Sequence, residues 1–111
     1  MRRLAQAVDV MTTESGNDRP PVDFYVSVDV ETAGPNPSQY SMLAIGACTI
    51  CAPRATFYVE LQPLHDAALP DALAISGLDM EALKARGLRP VDAMNRFEAW
   101  IAGVVPVGSR P

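Results

Sequence analysis

Phe24-Tyr-Val-Ser-Val-Asp-Val-Glu31, running directly into Thr32-Ala-Gly-Pro-Asn-Pro-Ser38, is the stretch whose reading decides the fold. Side chains in a strand alternate faces, so Phe24, Val26, Val28 and Val30 share one face and Tyr25, Ser27, Asp29 and Glu31 the other. The first face is wholly apolar. The second ends in two carboxylates about 7 Å apart along the strand, at a rise of about 3.3 Å per residue. Two anions at the end of an otherwise buried strand are costly unless a cation neutralises them, and hard divalent cations take oxygen ligands. The competing reading is a strand that ends at the surface with both acids in water. Gly34 permits a positive φ, and Pro35 and Pro37 stop the strand, so residues 32–38 read as a loop flanking the acids.

Downstream, Met42 to Cys51 is a nearly continuous apolar run whose length suits a buried strand, with Gly46 read as a bulge. Thr56 to Leu61 alternates Phe57, Val59 and Leu61 against polar or amphipathic partners. The short link Ala52-Pro-Arg-Ala55 between these runs implies an antiparallel meander, because parallel neighbours need a long crossover. After a loop over residues 62–69, Pro70 opens a short helical segment to about Ile75. Ser76 or Asp79 caps a helix over Met80 to Arg86, which Gly87 ends. Pro90 opens the strongest helix, to about Val105. Its stripe of Val91, Met94, Phe97, Ile101 and Val104, widened by Trp100, predicts the buried face. Three strands followed by helices make an α+β (α/β) opening.

The 111 residues allow one domain at most, and 49% apolar with 20% charged residues is an ordinary globular balance. No run is long enough to span a membrane, and Arg2-Arg3 precedes no apolar segment, so a cytoplasmic protein without a membrane partner is expected. A net charge of -4 is awkward for a protein that would hold nucleic acid by neutralising phosphates along its backbone. Cys48 and Cys51 read as buried thiols rather than as a zinc site, since they lie in a strand-like run without a second pair. Residues 1–21 read as a flexible leader and residues 22–111 as the structured part. Leu4, Ala7, Val8 and Met11 have helical spacing, and Met11 is an alternative start.

Asp29-Val-Glu31-Thr32, after a hydrophobic strand and before a Gly-containing loop, resembles the first motif of the DEDD superfamily of 3'-5' exonucleases. Its DEDDh type includes ribonuclease T and polymerase proofreading subunits. Met42 to Cys51 resembles the second strand of that family, Ala55 to Leu61 its third, and Ile75-Ser-Gly-Leu78 through Trp100-Ile101 its helical region, so the likeness covers residues 22–105. The resemblance implies a ribonuclease-H-like fold in which the long helix crosses to a fourth strand, parallel to the first and absent from this sequence. It implies that Asp29 and Glu31 are catalytic and metal-binding, helping to hold two Mg²⁺ or Mn²⁺ ions about 3.5 to 4 Å apart. It also implies attack of metal-bound water on the terminal phosphodiester of single-stranded or 3'-end nucleic acid, releasing 5'-mononucleotides. Thr32 and Gly34 take the family's substrate-binding positions, although Thr32 reads equally as a turn-forming hydroxyl.

The family further needs an Asp beyond the fourth strand and a His followed five residues later by an Asp. The sequence reaches neither, so the metal site is incomplete, and the chain reads as a fragment corresponding to the amino-terminal half of the domain. His65 is no substitute, because Pro70 stands where its Asp would fall. Tyr25, four residues before Asp29, imitates a tyrosine variant of that motif only by accident. Two other readings stay open. One is a non-catalytic remnant or nucleic-acid-interaction module with a vestigial metal site; the other is a phosphatase of the haloacid-dehalogenase type, which uses Asp where this chain has Glu31. If the fourth strand is missing, Phe24 to Val30 forms a bare edge, and self-association through this first strand is expected.

Overall fold

The computed structural model describes residues 4–8 as backbone and residues 22–111 in full. Along the chain come β1 (Leu4–Val8), β2 (Val22–Asp23), β3 (Val26–Thr32), β4 (Met42–Thr49), β5 (Thr56–Glu60), α1 (Pro70–Ser76), α2 (Met80–Arg86), α3 (Pro90–Val104) and β6 (Ser109–Arg110). The architecture is mixed helix and sheet. β1, β3, β4 and β5 form one sheet in that order, every pair antiparallel. β3 is therefore followed by a meander and not by a crossover helix, as the short β4–β5 link requires.

The alternation in β3 is realised as read. Val26 and Val28 are buried with Ile45, Ala47, Val59 and Leu61 in one apolar cluster, on which Phe24, Val30, Phe57, Leu88, Phe97 and Trp100 pack. A second cluster joins Ala33 and Leu43 to Met80 and Leu83. Gly46 makes no bulge, because it pairs in register between Asp29 and Tyr58. The register shift falls instead between Glu31 and Thr32, where the chain leaves the sheet for the Pro-containing loop. Of the two thiols read as buried, Cys48 is half-buried and Cys51 is exposed; β4 ends at Thr49, which leaves Cys51 in the turn.

Local signals account for the helices. Pro70 and Pro90 occupy the first turns of α1 and α3, and Asp79 caps α2 by accepting from Ala82 N–H at 3.2 Å. Gly87 then lets α2 dock on the end of β5, since a β-carbon there would fall 2.6 Å from the backbone of Leu61 and Gln62. Beside it, Leu88 N–H donates to Glu60 O and Leu88 O accepts from Gln62 N–H. α3 meets the sheet through Ala93, Phe97 and Trp100. The rings of Phe57, Phe97 and Trp100 lie with centroids 5.4 to 6.3 Å apart. The helix is rotated from the expected stripe: Ala93 is fully buried, while Val91 and Met94 are 56% and 48% exposed. A small residue at the point of closest approach lets the helix sit low, and the flanking aromatic rings fill the space beside it.

Leu4–Val8 lies in the segment read as a leader, and the helical spacing there gives way to a strand. β1 runs antiparallel along β3 with Leu4 opposite Val30 and Val8 opposite Val26. The expected bare edge over Phe24 to Val30 is thus corrected, because β1 pairs with Val26 to Val30 and the Phe24 N–H is taken up by Arg110 O. Thr12 to Pro21, the polar part of the leader, and Met11 lie outside the described residues. After α3 the chain returns and the two-residue β6 pairs parallel with β2, so a short parallel strand follows the long helix where none was expected. Phe24 N–H donates to Arg110 O, and the Arg110 guanidinium pairs with Asp23.

Two outcomes follow from this packing. Phe97→Ala removes the ring that joins α3 to β5 and is expected to cost about 3 kcal/mol, the low end for deleting an aromatic core side chain, measured by urea unfolding. Removing residues 1–8 strips β3 of its partner along Val26 to Val30. Size-exclusion chromatography with light scattering should then show self-association where the whole chain shows less; identical profiles would mean that β1 does not guard this edge.

Candidate metal and nucleic-acid site

Asp29 and Glu31 lie on the sheet face opposite the apolar core, both half-buried. The register carries each across the sheet: Asp29 pairs with Gly46, which pairs with Tyr58, and Glu31 pairs with Ala44, which pairs with Glu60. Directly paired residues project to the same face. The face therefore holds two carboxylates on β3, a floor of glycine and alanine on β4, and a tyrosine and a third carboxylate on β5. Neighbouring strands stand about 4.8 Å apart, so about 10 Å separates the two banks.

Oδ1 of Asp29 and Oε2 of Glu31 are buried atoms, two anionic oxygens of the kind that hard cations take as ligands. No group of three or more His, Cys, Asp or Glu residues assembles among the described residues, so a cation here would need further ligands, water included. On the far bank Tyr58 Oη donates to Glu60 Oε2 at 2.8 Å. Its phenol is pushed up to about 12, first by desolvation and then by the Glu60 hydrogen bond and the charges of Glu60 and Glu31.

The loop after β3 is tied down at both ends. Ala33 N–H donates to Ser41 O, Leu69 N–H donates to Ala33 O, and Asn36 Oδ1 accepts from the Ser38 N–H and hydroxyl. Thr32 stands at the register shift opposite Met42, one residue beyond the carboxylates. Gly34, read as the point where a nucleotide approaches the backbone, is buried. A β-carbon there would lie 2.5 Å from the Tyr40 ring, so this glycine lets the loop close over that ring. His65 is exposed on the segment between β5 and α1. Tyr58 and Glu60 escaped the sequence reading of the site; the alternation of Thr56, Tyr58 and Glu60 puts them on one face, and only the strand register sets that face beside Asp29.

Because its phenol is harder to ionise in the folded chain, Tyr58 contributes stability that is present below pH 10 and lost as pH rises toward 12. Ultraviolet titration of phenolate absorbance should show one tyrosine ionising near 12, and Glu60→Gln should move it part of the way back toward 10, leaving the desolvation effect. In Tyr58→Phe the high-pH loss of stability from this group should vanish.

The sequence is similar to that of the 3'-5' DNA exonuclease Cap18 of Escherichia coli, with 48% identity over 83 residues. The match takes in 75% of this chain and 44% of the relative, so the chain spans less than half the length of that curated protein. No protein-family model matches the chain.

Proposed function

We propose that this chain carries part of a DEDD-type 3'-5' exonuclease site on a ribonuclease-H-like framework, acting in the cytoplasm on single-stranded or 3'-end DNA. The observation that carries the reading is the placement of Asp29 and Glu31 side by side on one sheet face, each with a buried carboxylate oxygen. The similarity to a named 3'-5' DNA exonuclease supports it independently and favours DNA over RNA. The parallel pairing of β6 with β2 beyond α3 is compatible with a crossover of the ribonuclease-H kind.

In this reading Asp29 and Glu31 bind Mg²⁺ or Mn²⁺ through their carboxylates. A divalent ion bound there supplies positive charge that acidifies a coordinated water and offsets the charge of the phosphodiester under attack. Thr32, held at the register shift, offers its hydroxyl to the sugar of the terminal nucleotide. Gly34 serves this contact indirectly, by letting the loop close over Tyr40. His65 lies on the segment between β5 and α1 and not on a strand of this face, and no general-base role is assigned to it.

Binding should be weak, because Mg²⁺ and Mn²⁺ want more ligands than two carboxylates provide. Mn²⁺ titration followed by water-proton relaxation enhancement should detect it, and Asp29→Asn with Glu31→Gln should abolish it. Unchanged Mn²⁺ binding in the double variant would overturn the site. Hydrolysis of labelled oligonucleotides by these 111 residues is expected to fall below detection, since general-base assistance is typically worth about 10²- to 10⁴-fold and no described residue is assigned to it. Vigorous Mn²⁺-dependent shortening of 3' ends would instead place a complete site within them.

A further inference from the structure

The far bank of the polar face has no role in the carboxylate chemistry, and its geometry is that of a platform. Tyr58 is 62% exposed although it lies mid-strand in β5. Its hydroxyl is anchored on Glu60 at 2.8 Å. Its ring leans toward β4, since a β-carbon at Gly46 would sit 3.9 Å from Tyr58 Cδ1. Nothing larger than Ala44 and Gly46 stands between this ring and the Asp29–Glu31 bank at these register positions. An aromatic ring fixed at its polar end, open to solvent and separated from two carboxylates by a floor without large side chains is suited to a ligand that is flat at one end and anionic at the other. A nucleotide has that form.

Resting on the exonuclease reading, we propose that Tyr58 is a substrate-binding residue, stacking on a base near the 3' end of a strand whose terminal phosphodiester is held, through metal, at Asp29 and Glu31. The separation of about 10 Å between β3 and β5 places ring and carboxylates on opposite sides of one nucleotide unit. Stacking is indifferent to base identity, so the contact grips an end without reading sequence. The phenol keeps its proton at physiological pH and donates it in a hydrogen bond to the Glu60 carboxylate, so the ring adds no charge of its own beside the phosphates.

The test is fluorescence anisotropy in Mn²⁺ with a 5'-labelled single-stranded oligodeoxynucleotide whose terminal linkages are cleavage-resistant phosphorothioates. Tyr58→Ala should weaken binding by about 5- to 100-fold, the loss of one aromatic–base stack, and Tyr58→Phe should stay within about 2-fold because the ring remains. On an oligonucleotide abasic at its last two nucleotides, the Tyr58→Ala penalty should vanish, which a merely structural role would not produce. Circular dichroism checks that each variant keeps its fold. Tyr58→Ala binding like wild type, or a penalty that persists on the abasic strand, overturns the stacking and leaves the exonuclease reading standing. A wild-type chain that binds Mn²⁺ but no oligonucleotide overturns the exonuclease reading, and the stacking with it.

Discussion

The register between β3 and β4 is the constraint on which the rest of the structure depends. Side chains alternate with a period of two, so a slip of one residue would carry Asp29 and Glu31 into the layer held by Val26, Val28 and Ile45. Burying an unpaired carboxylate among such residues costs far more than any single hydrogen bond returns. The apolar face thus fixes the polar one: Val26 and Val28 are buried against the core, and the two acids are presented opposite it. The single irregularity falls where it does least harm to this arrangement. It comes after Glu31, once the second carboxylate is placed, and sets Thr32, the last residue of β3, opposite Met42 just before the loop.

On the other side of the sheet, the helices hold β5 in line with β3. Leu88 exchanges backbone hydrogen bonds with Glu60 and Gln62, while Phe97 and Trp100 close on Phe57. Phe57 and Tyr58 are adjacent in sequence and face opposite ways, so the aromatic cluster beneath the sheet also orients the tyrosine above it. α3 then returns the chain to β2, where Arg110 pairs with Asp23. That parallel contact runs beside the start of β3, on the same side as β1, for Phe24 N–H reaches Arg110 while Tyr25 O accepts from Ile50 N–H of the opposite neighbour. Two segments from distant parts of the sequence thus share one edge of the β2–β3 line.

Features set by local chemistry were legible in the sequence. The alternation of Val and acid in β3, the span of α2 with its Asp79 cap, and the Pro90 start of α3 each follow from residues close to one another. Features set by distant pairing were not. Leu4–Val8 carries spacing compatible with a helical turn, and only the unpaired amides and carbonyls of β3 make it a strand. The orientation of α3 misled for a related reason: its apolar stripe is broad, and which part is buried depends on Ala93, whose small size suits the closest contact but adds little to a hydrophobic pattern. Gly34 was read for its freedom to take a positive φ, which it does not take, and the need to lack a side chain there was not legible. What excludes that side chain is the Tyr40 ring, six positions away and brought back by the loop.

The charge of the molecule bears on how such a face could hold a phosphate polymer. The chain is acidic, at -4, and the polar face presents Asp29, Glu31 and Glu60 with a tyrosine that remains neutral. Affinity for nucleic acid ordinarily grows with each phosphate neutralised by Lys or Arg and is lost with salt. A face of this composition draws little from that source along the length of a strand. On the proposed reading, attraction comes from a divalent ion at one phosphodiester and from stacking at a nearby base, two contacts confined to about one nucleotide. The acids that repel a continuous backbone then disfavour internal binding, while the metal and the ring reward a strand that presents its end, so the same negative charge that weakens binding overall would sharpen the preference for termini.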